Sequence, residues 1–139
     1  MFTVKVKADS TLDRFKARLV VRGFSQIYGI DYFETFAPTV RIDTLRTFLA
    51  VTAKEDWELT HMDIKNVFTE SHLKEQIYLT LLQGVNVKDG YVLRVLRSLY
   101  GLKQSARDWN HLCRDYLLTV RFKQSLADLC LFTHQERQI

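Results

Sequence analysis

A single carboxylate stands out in the stretch THMDIKNVFTE, residues 60–70. Asp63 lies near the end of a segment, 58–64, that is predicted to be a β-strand, and the residues KNVFTE that follow predict a turn away from it. A carboxylate at the end of a strand beside an irregular turn is well placed to bind Mg²⁺, because this ion prefers oxygen ligands. Most aspartates in such positions cap helices or face water, so Asp63 alone does not decide between metal binding and a structural role.

Other motifs for catalysis or metal binding are not visible in the sequence. The histidines are scattered, without the paired spacing of zinc sites; they are His61, His72, His111 and His134. Cys113 and Cys130 form no CxxC pair, and we expect free thiols that behave as small buried apolar groups. The chain also lacks a GxSxG motif, a phosphate-binding glycine loop and a dinucleotide fingerprint.

The distribution of charge suggests a phosphate-bearing partner more clearly than the net charge of +4 does. Residues 1–23 carry six basic and two acidic groups, and residues 94–123 carry seven and two, whereas residues 24–93 carry six and ten. If folding brings the basic segments together, they could form a nucleic-acid-binding surface. The alternative is a solvated face of ordinary lysines and arginines.

The composition, 47% hydrophobic and 26% charged, is typical of a globular domain. No apolar run approaches the roughly 20 residues that span a bilayer. The opening residues MFTVKVKADS alternate apolar and basic types, which is not the pattern of a secretory signal. With two free thiols, we therefore expect an intracellular location, cytoplasmic or nuclear, and no membrane partner.

Periodicity predicts the elements that must position Asp63. Alternation over residues 2–6 and 15–22 predicts a basic β-hairpin that ends at Gly23. Helical spacing predicts two main helices, over about 42–55 and 102–120. Further strands are expected over 58–64, 76–80, 91–95 and 128–133. Mixed strands with two helices predict an α+β or mixed α/β fold in one domain.

Five segments, in this order, resemble the reverse transcriptase of copia-type LTR retrotransposons. They are RFKARLVVRGFSQIYGIDYFETFAP, TVRIDTLRTFLAVTA, WELTHMDIKNVF, VLRVLRSLYGLKQSARDW and FKQSLADLCLF. The resemblance implies that residues 1–139 are a partial reverse transcriptase domain with part of a right-hand polymerase fold. About 40 N-terminal residues would form the basic fingers strands, and residues 41–139 would form the rest of the fingers with an incomplete palm sheet.

The resemblance also implies roles for individual residues in RNA-directed DNA synthesis, with an RNA or DNA template-primer and deoxynucleoside triphosphates as partners. Asp63 would be the first catalytic carboxylate and a ligand of Mg²⁺ at a palm strand end. Phe68 would lie under the nucleotide sugar and exclude a 2′-hydroxyl, with a core aromatic as the alternative. The backbone that follows Asp63 would face the triphosphate; it comprises Ile64, Lys65, Asn66 and Val67.

The remaining nucleotide-binding candidates come from the fingers and from the YGLKQ block. They are Lys16, Arg18, Arg22, Tyr100, Gly101 and Gln104. Alternation along one strand would place the three basic residues on one side, with solvent-facing side chains as the alternative. We expect Lys103 and Arg107 at the surface and Trp109 in the core.

Two further catalytic carboxylates of this family lie in a YVDD-like hairpin after the block matched by ADLCLF, and the 139 residues end before it. Because one carboxylate cannot hold two Mg²⁺ ions, we expect this polypeptide not to polymerise alone. The alternative function is a non-catalytic nucleic-acid-binding or interaction module with the same fold. A position for Asp63 away from any sheet end would require a polymerase origin of this site to be abandoned.

An incomplete palm sheet would leave one strand edge unpaired and apolar surface uncovered. We therefore expect weak stability or self-association through the exposed edge.

Overall fold

The computed structural model describes residues 1–80, 84–86 and 88–134. Within these ranges the elements are β1 (Phe2–Val6), β2 (Leu12–Ala17), α1 (Ile42–Lys54), β3 (His72–Leu79), β4 (Leu93–Arg97), α2 (Ser105–Thr119), β5 (Phe122–Gln124) and β6 (Phe132–His134). This confirms the expected mixed α/β class with two helices. The described strands pair as three separate two-stranded antiparallel sheets, β1 with β2, β3 with β4 and β5 with β6.

The predicted N-terminal hairpin forms, but its second strand begins three residues earlier than predicted and ends five residues earlier. β1 and β2 pair in a register that sets Val4 opposite Phe15. In the turn, the carboxylate of Asp9 accepts hydrogen bonds from the backbone and hydroxyl of Thr11. The strand does not continue to Arg22, because the N–H of Val21 donates instead to the carbonyl of Tyr100 at 2.8 Å.

The start of α1 is held by a hydrogen bond to Asp128, which lies near the far end of the described chain. Arg41 at the N-cap of α1 has no capping side chain of its own. Its backbone N–H donates to Oδ2 of Asp128 at 3.0 Å, and Oδ1 of Asp128 accepts from the N–H of Cys130 at 2.8 Å. The predicted strand over 128–133 is therefore wrong for its first four residues, since Asp128 organises a turn there and β6 begins at Phe132.

The core of the described residues is small. Its buried apolar side chains are Ile77 of β3, Val95 of β4 and Leu102 before α2. The accessible surface is 11808 Å², against about 7500 Å² expected for a compact protein of 16.4 kDa. Most apolar residues of the hairpin and of α1 are exposed, so the expected uncovered apolar surface is present. No helix within the described ranges is long and apolar enough to cross a membrane.

Candidate functional site

Asp63 lies in a segment without regular secondary structure and is exposed. The predicted strand over 58–64 is wrong. Among the described strands, the next strand in the chain, β3, pairs only with β4, so residues 58–64 have no strand partner there. Met62 and Ile64, which would face a sheet, are exposed as well. Asp63 is thus not at the end of any described strand, so its geometry does not support a polymerase origin of the site, and the family is instead established by comparison with known proteins.

The residues around Asp63 do not complete a metal site by themselves. Within the described part of the chain, no group of three or more His, Cys, Asp or Glu could hold a metal ion. Mg²⁺ requires near-octahedral oxygen coordination, and a single exposed carboxylate does not supply it. The role of Asp63 as a metal ligand remains a prediction.

The turn predicted after Asp63 is present. Asn66 adopts the left-handed conformation, with φ 52° and ψ 35°, which asparagine tolerates better than most residues. Its carbonyl accepts hydrogen bonds from the backbone N–H and the hydroxyl of Thr69, closing a 3₁₀ turn over Val67–Glu70. Ile64, Lys65 and Asn66 are exposed, whereas the turn brings Phe68 inward.

Three of the predicted nucleotide-binding side chains converge from distant segments. The rings of Phe68 and Tyr100 meet edge to face, with centroids 4.7 Å apart. The guanidinium carbon of Arg18 lies 5.9 Å from the centroid of Tyr100, a cation–π geometry. All three residues are half-buried. We call this set the Arg18–Phe68–Tyr100 cluster.

Two glycines allow the segment around Val21 and Gly23 to approach the YGLKQ block closely. A Cβ on Gly101 would lie 2.1 Å from the carbonyl oxygen of Val21, and a Cβ on Gly23 would lie 1.9 Å from the carbonyl oxygen of Gly101. Gly101 also has φ +95°, a conformation that other residues rarely adopt. The contact holds the backbone beside Arg22 against Tyr100, and the Arg22 side chain remains exposed.

The amide of Gln104 lies inside the protein, with 1% of its surface exposed. Its Nε2 donates to the carbonyl of Asp31 at 2.8 Å, and its Oε1 accepts from Nε2 of Gln26 at 3.0 Å. Gln26 in turn accepts from the backbone N–H of Lys103 at 2.8 Å. Gln104 therefore links two segments of the protein, and its direct contact with a nucleotide stays a prediction. Gln26 was not identified from the sequence, since no local pattern reveals a partner 78 residues away.

The other basic candidates occupy different surroundings. Lys16 lies in β2 and is half-buried, whereas Arg22 lies beyond the end of β2. The three basic residues therefore do not share one side of a single strand, contrary to the expectation from the sequence. Lys103 is exposed as expected, with Nζ 4.6 Å from the ring centroid of Tyr32. Arg107 is half-buried rather than fully at the surface, with its side chain 19% exposed and paired with Glu34 and Asp108.

Burial shifts the pKa of three groups in α2 and of Cys130. Desolvation raises the pKa of Asp108, although the hydroxyl of Ser98 donates to its carboxylate at 2.9 Å. Burial lowers the pKa of His111, with the charges of Arg107 and Arg114 acting in the same direction. Burial also raises the pKa of the thiols of Cys113 and Cys130. Both cysteines are half-buried and free, and burial disfavours the thiolate form of each.

Comparison with known proteins identifies the family. A family profile described as "Reverse transcriptase (RNA-dependent DNA polymerase)" matches residues 1–139. The "Retrovirus-related Pol polyprotein from transposon RE2" of Arabidopsis thaliana is 39% identical over 137 residues, which is 97% of this chain and 9% of that protein. The Pol polyprotein from transposon RE1 of the same plant is also 39% identical, with the same coverage.

A third relative comes from tobacco. The "Retrovirus-related Pol polyprotein from transposon TNT 1-94" of Nicotiana tabacum is 37% identical over 134 residues, covering 95% of this chain and 10% of that protein. No solved structure matches the chain significantly. The chain spans about a tenth of the length of these relatives. It belongs to the reverse transcriptase family, in the form found in the Pol polyproteins of copia-type retrotransposons.

Proposed function

We propose that this chain supplies the fingers strands and part of the palm of a right-hand polymerase that synthesises DNA on an RNA template. The observation that carries the proposal is the convergence of Arg18, Phe68 and Tyr100 from three distant segments. A cation beside two half-buried rings can contact phosphate while the rings contact a sugar or a base.

In this proposal the cluster receives the incoming nucleotide. Arg18 contacts the triphosphate, and Phe68 lies against the sugar. Tyr100 supports both side chains, because it contacts each of them. The exposed Lys65 and Asn66 in the turn after Asp63 are accessible to the same ligand. The half-buried Lys16 and the exposed Arg22 contribute further positive charge.

The reverse transcriptase family uses divalent metal ions in general, and Mg²⁺ would stabilise negative charge on the phosphates when bound. We propose that Asp63 contributes one carboxylate ligand and that the other ligands come from outside the described residues. The exposed position of Asp63 is compatible with this, because its oxygens are available to an ion. No catalytic step is assigned to Asp63 in the 139-residue polypeptide.

A non-catalytic nucleic-acid-binding module is the second candidate. It is favoured by the position of Asp63 outside any strand and by the lack of a three-ligand cluster within the described ranges. In such a module Asp63 would face solvent and contribute nothing to binding.

Primer extension and nucleotide binding distinguish the two candidates. The 139-residue polypeptide should bind a labelled deoxynucleoside triphosphate, and Arg18→Ala should weaken that binding, with Lys54→Ala on α1 as a matched control. It should not extend a primer with Mg²⁺. A longer Pol segment that includes the YVDD-like block expected from the family should extend the primer, and Asp63→Ala should abolish that activity. Unchanged extension by the Asp63→Ala variant would exclude the polymerase role of this residue.

A further inference from the structure

The ribbon formed by β3 and β4 has two different faces. Exposure alternates along β3, so that Leu73, Ile77 and Leu79 turn toward the core with Val95 of β4. The opposite positions face solvent, as alternation along a strand requires. We call this the outer ribbon face; its exposed residues are His72, Lys74, Gln76, Tyr78, Arg94 and Leu96.

An aromatic ring and a guanidinium lie side by side on the outer ribbon face. Tyr78 and Arg94 are directly opposed in the antiparallel register. The ring of Tyr78 is 53% exposed, and its hydroxyl donates to Oε1 of Gln76 at 3.3 Å, which restrains its orientation. Just before β4, Nζ of Lys88 lies 5.9 Å from the ring centroid of Tyr91, a second pairing of cation and ring.

The charge of this face is positive and uncompensated. Lys74 and Arg94 form no ion pair with any residue that the structure describes. The outward positions of the two strands carry no aspartate or glutamate, and Glu75 of β3 turns inward, where its charge acts on Asp108. Positive charge next to exposed rings is the composition of surfaces that bind single strands, because bases stack on rings and phosphates attract the cations.

We propose that the outer ribbon face binds single-stranded nucleic acid, with Tyr78 stacking on a base and with Lys74 and Arg94 contacting phosphates. This face shares no residue with the Arg18–Phe68–Tyr100 cluster, so the inference goes beyond the proposed nucleotide-binding role. Along β3, Lys74 and Tyr78 are separated by about 13 Å, which allows contact with a few nucleotides. An acidic protein partner would use the two cations but would leave the exposed ring without a role.

Fluorescence anisotropy with a labelled oligothymidine of about 12 nucleotides tests the proposal. In the 139-residue chain, Tyr78→Leu should lower the affinity at least about fivefold, whereas Tyr78→Phe should keep it, because the ring is retained. Arg94→Gln should reduce the slope of log K against log salt by about 0.7, the effect of one lost phosphate contact. Arg46→Gln, which removes an exposed guanidinium from α1, is the control and should change neither quantity.

The results separate this proposal from the one made for the cluster. If Tyr78→Leu and Arg94→Gln bind the oligonucleotide as well as the unmodified chain does, the outer ribbon face is not a binding surface. Nucleotide binding that depends on Arg18 would be unaffected by that outcome. Polyglutamate that competes as strongly as the oligonucleotide would also overturn the proposal, in favour of an acidic protein partner. Circular dichroism of each variant checks that the exposed substitutions leave the fold intact.

Discussion

The ring of Tyr100 contacts the ring of Phe68 edge to face, at 4.7 Å between centroids and 67° between planes. Phe68 follows Asp63 by five residues, and Tyr100 belongs to the YGLKQ block that leads into α2. One aromatic contact therefore joins the turn after the expected metal ligand to the loop that packs against Val21. The same two segments are also joined by a backbone hydrogen bond from the N–H of Ser98 to the carbonyl of Ser71 at 3.0 Å.

We predict that Tyr100 and Phe68 stabilise the fold cooperatively. In a double-mutant cycle of Tyr100→Leu and Phe68→Leu, the coupling free energy should be about 0.5–1.5 kcal/mol, as for other edge-to-face pairs. Urea unfolding supplies the free energies. Tyr116→Leu combined with Phe68→Leu is the control and should be additive, because Tyr116 is an exposed residue of α2. Coupling no larger than in this control would contradict the prediction.

Gly101→Ala should destabilise the protein by about 2 kcal/mol or more, through a clash with the Val21 carbonyl and a strained positive φ. The matched control is Gly29→Ala, because Gly29 also has positive φ, +83°, but a Cβ there would meet nothing within 4 Å. The difference between the two variants in chemical denaturation isolates the cost of the clash. Equal destabilisation would show that the close approach is not required.

Acid should weaken the attachment of α1 to the turn at Asp128. Hydrogen bonds from the backbone of Arg41 and Cys130 hold the pKa of Asp128 below its usual 3.8. A carboxylate with a lowered pKa contributes stability that is present above its unfolded pKa and is lost as the pH falls through the folded value. The melting temperature should therefore drop below about pH 4 in the unmodified protein.

The Asp128→Ala variant should already melt lower at neutral pH and should lose part of this acid dependence. Asp43→Ala is the control for removing a negative charge near the start of α1, and it should leave the acid dependence in place. If the melting temperature of Asp128→Ala changes with pH as steeply as that of the unmodified protein, Asp128 is not the cause of the acid dependence.

The exposed apolar surface predicts self-association of the 139-residue chain. Phe15 is 76% exposed on β2, next to Val4, which is 56% exposed. Sedimentation should show an average mass that rises with concentration, because burying such side chains in a contact is favourable. Phe15→Lys should reduce this rise, and Phe15→Leu should preserve it. A monomer at all concentrations with a sharp cooperative melt would contradict the prediction.

Local periodicity determined the elements that depend on their own residues. The helices at Ile42–Lys54 and Ser105–Thr119 form within a few residues of the predicted bounds, because the spacing of apolar side chains and backbone hydrogen bonds within a helix are local. The N-terminal hairpin forms for the same reason, since its strands are adjacent in sequence. Five ordered blocks were also enough to identify the reverse transcriptase family.

The tertiary structure alone decided the features that need a distant partner. Residues 58–64 have strand composition but do not form a strand, because a β-ladder requires a neighbouring backbone. Gln26 pairs with Gln104, and Asp128 holds the start of α1 from 87 residues away. Composition and spacing do not encode such contacts, since a hydrogen bond depends on where the chain places both atoms. The sequence therefore determined the family and the local elements, and folding decided which candidate residues meet.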